Sequence, residues 1–138
     1  MTQSEGRATV KVLLVDDNRG FLTLARHLLA EVPGTELVGM GQDGFEAVKL
    51  AEQLRPDLVV MDISMPGMGG LQATRLIKVQ DQPPQVVVVS HYDDAAHREH
   101  AHAAGADGFV AKNDFEREIA GVIDRCRQNR QPREVLDV

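Results

Sequence analysis

Leu58-Val59-Val60-Met61-Asp62-Ile63-Ser64-Met65-Pro66-Gly67 is a short apolar run that stops at a carboxylate and opens into a bent loop. Four consecutive apolar residues without polar alternation suit a strand covered on both faces, as in a parallel sheet. Pro66 and Gly67 punctuate the chain, so Asp62 falls where strand gives way to loop. A polar residue placed so sharply is either a plain strand-end cap or a functional group, and its surroundings must decide.

Outward from this strand, Val-rich runs recur over Lys11 to Asp16, Glu36 to Met40, Gln85 to Val89 and Gly108 to Ala111. With Asp57 to Met61 they make five. The intervals carry a 3.6-residue period. Phe21, Leu24, Ala25, Leu28 and Leu29 share one face of a first helix, and Val48, Ala51 and Leu54 one face of a second, with Asp43 as N-cap. Leu71, Thr74 and Ile77 serve a third, and Phe115, Ile119, Val122, Ile123 and Cys126 the last, after Asp114. Arg125, Arg127, Arg130 and Arg133 give that helix a basic end, which suits its dipole. Strand alternating with helix five times predicts an α/β fold with right-handed crossovers and one central parallel sheet. A single domain over residues 10–127 is expected, with residues 1–9 and 128–138 as terminal extensions.

The interval from Asp93 to Gly108 stands apart, because alanine supplies its whole apolar content. Its helix buries little area at about 25 cal/mol per Å². It is expected to be the least anchored element and the one that shifts in a switch.

At 138 residues, 43% hydrophobic and 26% charged, the chain has the composition of one ordinary globular domain. A net charge of −6 argues against coating nucleic acid or an anionic membrane. The lone Cys126 cannot form an internal disulfide and reads as a small packing residue, which fits a cytoplasmic location. No signal-peptide core is present, and no apolar run approaches the roughly 20 residues of a membrane span.

In a parallel sheet the carboxyl ends of the strands share one edge, where such folds place their chemistry. Asp16 and Asp17 close the first strand, Asp62 the third, Ser90 the fourth and Lys112 the fifth. Three carboxylates brought together repel and raise one another's pKa values. A hard, oxygen-liking cation such as Mg²⁺ relieves that cost while keeping several waters. A carboxylate beside it is a competent nucleophile for phosphoryl transfer. The transferring oxygens then need the metal on one side and a cation such as Lys112 on another, with Ser90 able to hydrogen-bond a further oxygen. Taken singly, each residue has a plainer reading. Asp16 and Asp17 could be a solvated turn with a helix cap, Lys112 an exposed lysine and Phe109 a core aromatic.

Together, Leu14-Val15-Asp16-Asp17-Asn18, Val60 to Gly70, Val89-Ser90 and Phe109-Val110-Ala111-Lys112 resemble the response-regulator receiver family, over roughly residues 10 to 127. The closest flavour is that of receivers attached to helix-turn-helix output domains, the NarL and FixJ type. The resemblance implies a three-layer (βα)5 flavodoxin-like fold with sheet order 2-1-3-4-5. It implies that Asp62 accepts a phosphoryl group from a histidine kinase or phosphotransfer protein. Asp17 and Asp62 would then ligate Mg²⁺ (or Mn²⁺) directly, Asp16 largely through water, and the Ser64 backbone carbonyl would contribute. Lys112 and Ser90 would hold phosphoryl oxygens, Ser90 and Phe109 would form the switch, and Ser64 and Tyr92 would tune phosphate lifetime. A homodimer, where one forms, would use the face of helix four, strand five and helix five. Three positions depart from the family pattern: Asn113 where Pro is usual, His91 where a small residue is common, and Gly69 where an acidic residue is usual.

Such a chain is a switch, not a metabolic enzyme. It acts through a downstream protein target or an output domain, and this chain alone is not expected to bind nucleic acid. Two rivals stand beside it. One is the receiver part of a DNA-binding regulator, because too few residues follow the last helix for an output domain. The other is an aspartate-nucleophile phosphatase, but those place a second Asp two residues after the nucleophile, where this chain has Asp16-Asp17-Asn18. His91, His97, His100 and His102 invite a metal reading, yet His102 points away from the face that His97 and His100 share.

Overall fold

The computed structural model describes residues 9–136, with side chains described over 9–129. Strands β1 (Val10–Val15), β2 (Thr35–Gly41), β3 (Leu58–Asp62), β4 (Gln85–Ser90) and β5 (Gly108–Ala111) form one parallel sheet of order β2-β1-β3-β4-β5. Helices α1 (Arg19–Ala30), α2 (Gly44–Leu54), α3 (Gly70–Lys78), α4 (Ala95–Ala103) and α5 (Phe115–Leu136) alternate with them. A 3-10 turn, Lys112–Asp114, joins β5 to α5. This is the three-layer α/β arrangement expected. Among the described residues no helix is long and apolar enough to cross a membrane.

Period-two geometry sends Val12 and Leu14 of β1 to one face and Leu13 and Val15 to the other. The first face is covered by α1 and α5, through Leu22, Ala25, Leu29, Phe115, Ile119, Ile123 and Cys126. The second is covered by α2, α3 and α4, through Ala47, Ala51, Ala73, Ile77 and Ala101. Cover on both faces is the reason the strand sequences do not alternate. Leu58, Val59, Val60 and Met61 are all 2% exposed or less, each contributing roughly 1.5–3 kcal/mol.

Helix α1 departs from the predicted face. Leu24 is 48% exposed, whereas Leu22 is buried. A Leu-rich helix offers two overlapping apolar stripes, and packing on the sheet selects the one centred on Ala25, whose small side chain lets the backbone approach. Ala47 likewise joins Ala51 in the buried face of α2, while Val48 and Leu54 are only partly buried. Helix α5 continues to Leu136, past the expected end of the domain near residue 127. Of the expected extensions, residues 1–8 and 137–138 lie outside the described residues, as do the side chains of Arg130 and Arg133.

Two glycines place the loop after β3. A Cβ on Gly70 would run into the Asp62 backbone carbonyl, and one on Gly44 into that of Met68. Gly70 N donates to Ile63 O at 3.1 Å and Gly44 N to Met68 O at 3.2 Å, so the loop folds back on its strand and is tied to α2. Asn18, Asp43 and Asp94 cap α1, α2 and α4 by accepting from Phe21 N, Glu46 N and His97 N. Helix α4 buries Ala101 alone within its span, as the sequence led us to expect.

Candidate functional site

The carboxyl ends of β1, β3 and β5 bring three carboxylates and an ammonium together. Asp16 follows β1, is 1% exposed, and has its backbone N–H bound to Gly41 O at 3.0 Å. Its Oδ1 accepts from Asn18 N at 2.8 Å. Its Oδ2 stands 2.7 Å from Lys112 Nζ, a charge contact without the alignment of a hydrogen bond, so this buried oxygen accepts none. Asp62, the last residue of β3, is 4% exposed and places Oδ1 3.5 Å from Lys112 Nζ. Asp17 is exposed, yet one oxygen from each of Asp16, Asp17 and Asp62 lies within 4.8 Å of the others.

Burial pushes the Asp62 carboxyl from 3.8 up to about 6. The negative charge of Asp16 adds to this, Lys112 opposes it, and Asp17 adds a little more. At neutral pH the group is largely ionised but poorly solvated, an anion that gains from any incoming positive charge. A donor set of oxygens alone, with three mutually repelling carboxylates, fits a hard divalent cation. Among the described residues this is the one cluster of three or more such groups, and no histidine joins it.

The sequence matches the model of the response regulator receiver domain over residues 12–124. The chain belongs to that family. It is 39% identical over 103 residues to the response regulator GacA of Pseudomonas aeruginosa, covering 75% of this chain and 48% of that protein. It is 38% identical over 126 residues to a protein-glutamate methylesterase/protein-glutamine glutaminase of Alkalilimnicola ehrlichii, covering 90% of this chain and 32% of that one. Among solved structures, the signal receiver domain of the putative response regulator NarL from Mycobacterium tuberculosis superposes with a TM-score of 0.83 at 29% identity. That match covers 89% of this chain and 99% of that one. The chain thus spans about half the length of GacA and a third of the methylesterase.

In this receiver domain Ser90 ends β4 with no exposure, and its Oγ accepts from Tyr92 N at 3.0 Å. Its hydroxyl proton is left to donate elsewhere. Ser64 is exposed in the loop two residues past Asp62. Phe109 and Tyr92 meet α4 instead of the carboxylates. The Arg98 guanidinium lies 4.7 Å from the centre of the half-buried Phe109 ring, while Arg98 Nε and Nη2 donate to the two Asp93 oxygens at 2.6 and 3.1 Å. Tyr92 is 62% exposed and stacks on His97 at 5.3 Å. His91 and Asn113 are exposed, and the described peptide bonds include no cis bond.

Sequence reasoning treated the apolar residues of α1 as core alone and so missed Phe21. Its ring centre lies 4.6 Å from Lys112 Nζ. The available signal was its place, an aromatic in the first turn of a helix that begins just after Asp17, at the reactive edge of the sheet.

Proposed function

We propose that the chain is a Mg²⁺-dependent phosphoacceptor switch of two-component signalling, with Asp62 as acceptor and residues 10–127 as the receiver domain. One observation carries this reading. A buried carboxylate, raised to about 6, sits with two further carboxylates within 4.8 Å and an ammonium at 3.5 Å. When bound, the cation would neutralise part of the carboxylate charge and accept an oxygen of the phosphoryl group. Asp17 and Asp62 are the direct ligands in this reading, with Asp16 acting through water and the Ser64 carbonyl contributing.

An Asp62 oxygen attacks phosphorus, and the P–N bond to a donor histidine breaks with its electron pair returning to the imidazole. Lys112 and the Ser90 hydroxyl receive the phosphoryl oxygens. Movement of Ser90 as its hydroxyl donates to the phosphoryl group is coupled to Phe109, and the change reaches the face of α4, β5 and α5, where a partner or second copy docks. Ser64 and Tyr92 flank the site and set how long the phosphoryl group lasts. The partners are a histidine kinase or phosphotransfer protein and a downstream target in the cytoplasm, and the chain turns over no metabolic substrate.

The sequence resemblance to receivers attached to helix-turn-helix output domains, and a span of about half the length of GacA, favour a second reading in which this receiver serves a DNA-binding output domain, which a longer reading frame at its gene would reveal. For the acceptor itself, the test is incubation with a small acyl phosphate, with and without Mg²⁺, followed by peptide mapping. Mg²⁺-dependent label on the Asp62 peptide is expected, and label elsewhere, or equal label without the cation, refutes the assignment.

A further inference from the structure

The Lys112 ammonium has a third neighbour besides Asp16 and Asp62. Its Nζ lies 4.6 Å from the centre of the Phe21 ring, and the Lys112 side chain is only 6% exposed. Phe21 is itself held at both ends. Its backbone N–H donates to the Asn18 cap at 3.0 Å. Its ring meets the ring of Phe115 edge-on, with centroids 5.1 Å apart and planes at 67°. Phe115 is 2% exposed and opens α5, so the aromatic pair is anchored in the core between α1 and α5.

The face of an aromatic ring is negative, and it attracts an ammonium most strongly where water is excluded. A lysine stem is flexible, with an ammonium whose direction its own bonds do not set. A ring that contacts the ammonium and does not move limits where it can point. We propose that Phe21 is a positioning residue, whose ring face holds the Lys112 ammonium toward Asp16 and Asp62 so that it is preset for a phosphoryl group. This inference rests on the reading of Asp62 as phosphoacceptor. Phe21 touches no reacting atom and acts through Lys112.

The test uses the whole chain. Phe21→Leu keeps an apolar side chain and removes the ring, while Phe21→Tyr keeps the ring. NMR of the Lys112 Cε protons reports the ring current directly. We expect an upfield shift in the wild type and in Phe21→Tyr that is lost in Phe21→Leu. Phosphorylation by acetyl phosphate with Mg²⁺ is then timed below each variant's melting temperature. Phe21→Leu should slow it by roughly three- to tenfold. Phe21→Tyr should restore the rate, and Phe21→Leu should add nothing once Lys112 is replaced by Met. A wild type without the shift overturns the proposal, as does a Phe21→Leu rate equal to wild type. An equal slowing with and without Lys112 overturns it too, because that is the mark of packing alone. A wild type that shows the shift but accepts no phosphoryl group overturns the Asp62 reading instead, and the phosphoryl role of Phe21 with it.

Discussion

Lys112 Nζ lies 2.7 Å from Asp16 Oδ2, and both side chains are buried. The lysine is therefore first the counter-charge of Asp16 and only second, at 3.5 Å, that of Asp62. Removing it leaves buried carboxylates without a partner, which costs far more than an exposed pair is worth. Lys112→Met should lower the unfolding free energy by about 3 kcal/mol at neutral pH. Mg²⁺ should restore part of the loss. Urea unfolding with and without the cation checks both, and an unchanged midpoint would contradict the pairing.

Asp62→Asn should do the opposite. The folded protein keeps the Asp62 proton up to about 6, while the unfolded chain releases it near 3.8. Between those values the folded state binds more protons, so stability falls as pH rises through the window, and the loss is complete above it. The full shift corresponds to ~3 kcal/mol, and solvent screening at the cleft reduces this to about 1–2 kcal/mol. The asparagine variant should exceed wild type by that amount at neutral pH without divalent cations, and lose the advantage below about pH 4. Unfolding curves across that range decide it, and a difference independent of pH would point to another cause.

Much of this site was legible because strand ends are legible. An apolar run that stops at Asp16, Asp62 or Ser90 announces the sheet edge, and parallel topology then gathers those ends. What could not be read was which neighbour each group chooses. Nothing in the segment around Lys112 says that its ammonium prefers Asp16, or that Phe21 backs it, because those contacts cross from the turn after β5 to the end of β1 and to α1. Leu24 and Leu22 fit the same period, and only the closeness of Ala25 to the sheet separates them. The plainer reading of the acidic pair made it a turn carrying the α1 cap, whereas Asn18 supplies the cap and Asp16 instead accepts from the Asn18 N–H.

Gly70 packs directly against the Asp62 carbonyl, so Gly70→Ala must displace backbone, not a flexible side chain. A loss of about 2–3 kcal/mol is expected, together with weaker cation binding as the loop lifts from β3. Thermal unfolding and Mg²⁺ titration measure the two effects, and a variant with wild-type values in both would show that the loop is not held there.

Helix α4 buries only Ala101 within its span, whereas α1 buries Leu22, Ala25 and Leu29. Its amides should exchange by local opening well before those of α1. Hydrogen exchange that protects α4 as fully as α1 would remove α4 from consideration as the moving element.

The central claim concerns Asp62, and intact mass reads it most directly. Wild type and Asp62→Asn are incubated side by side with acetyl phosphate and Mg²⁺. Wild type should gain one phosphoryl group and Asp62→Asn none, whereas a variant that still gains the phosphoryl group would contradict the assignment of Asp62 as acceptor.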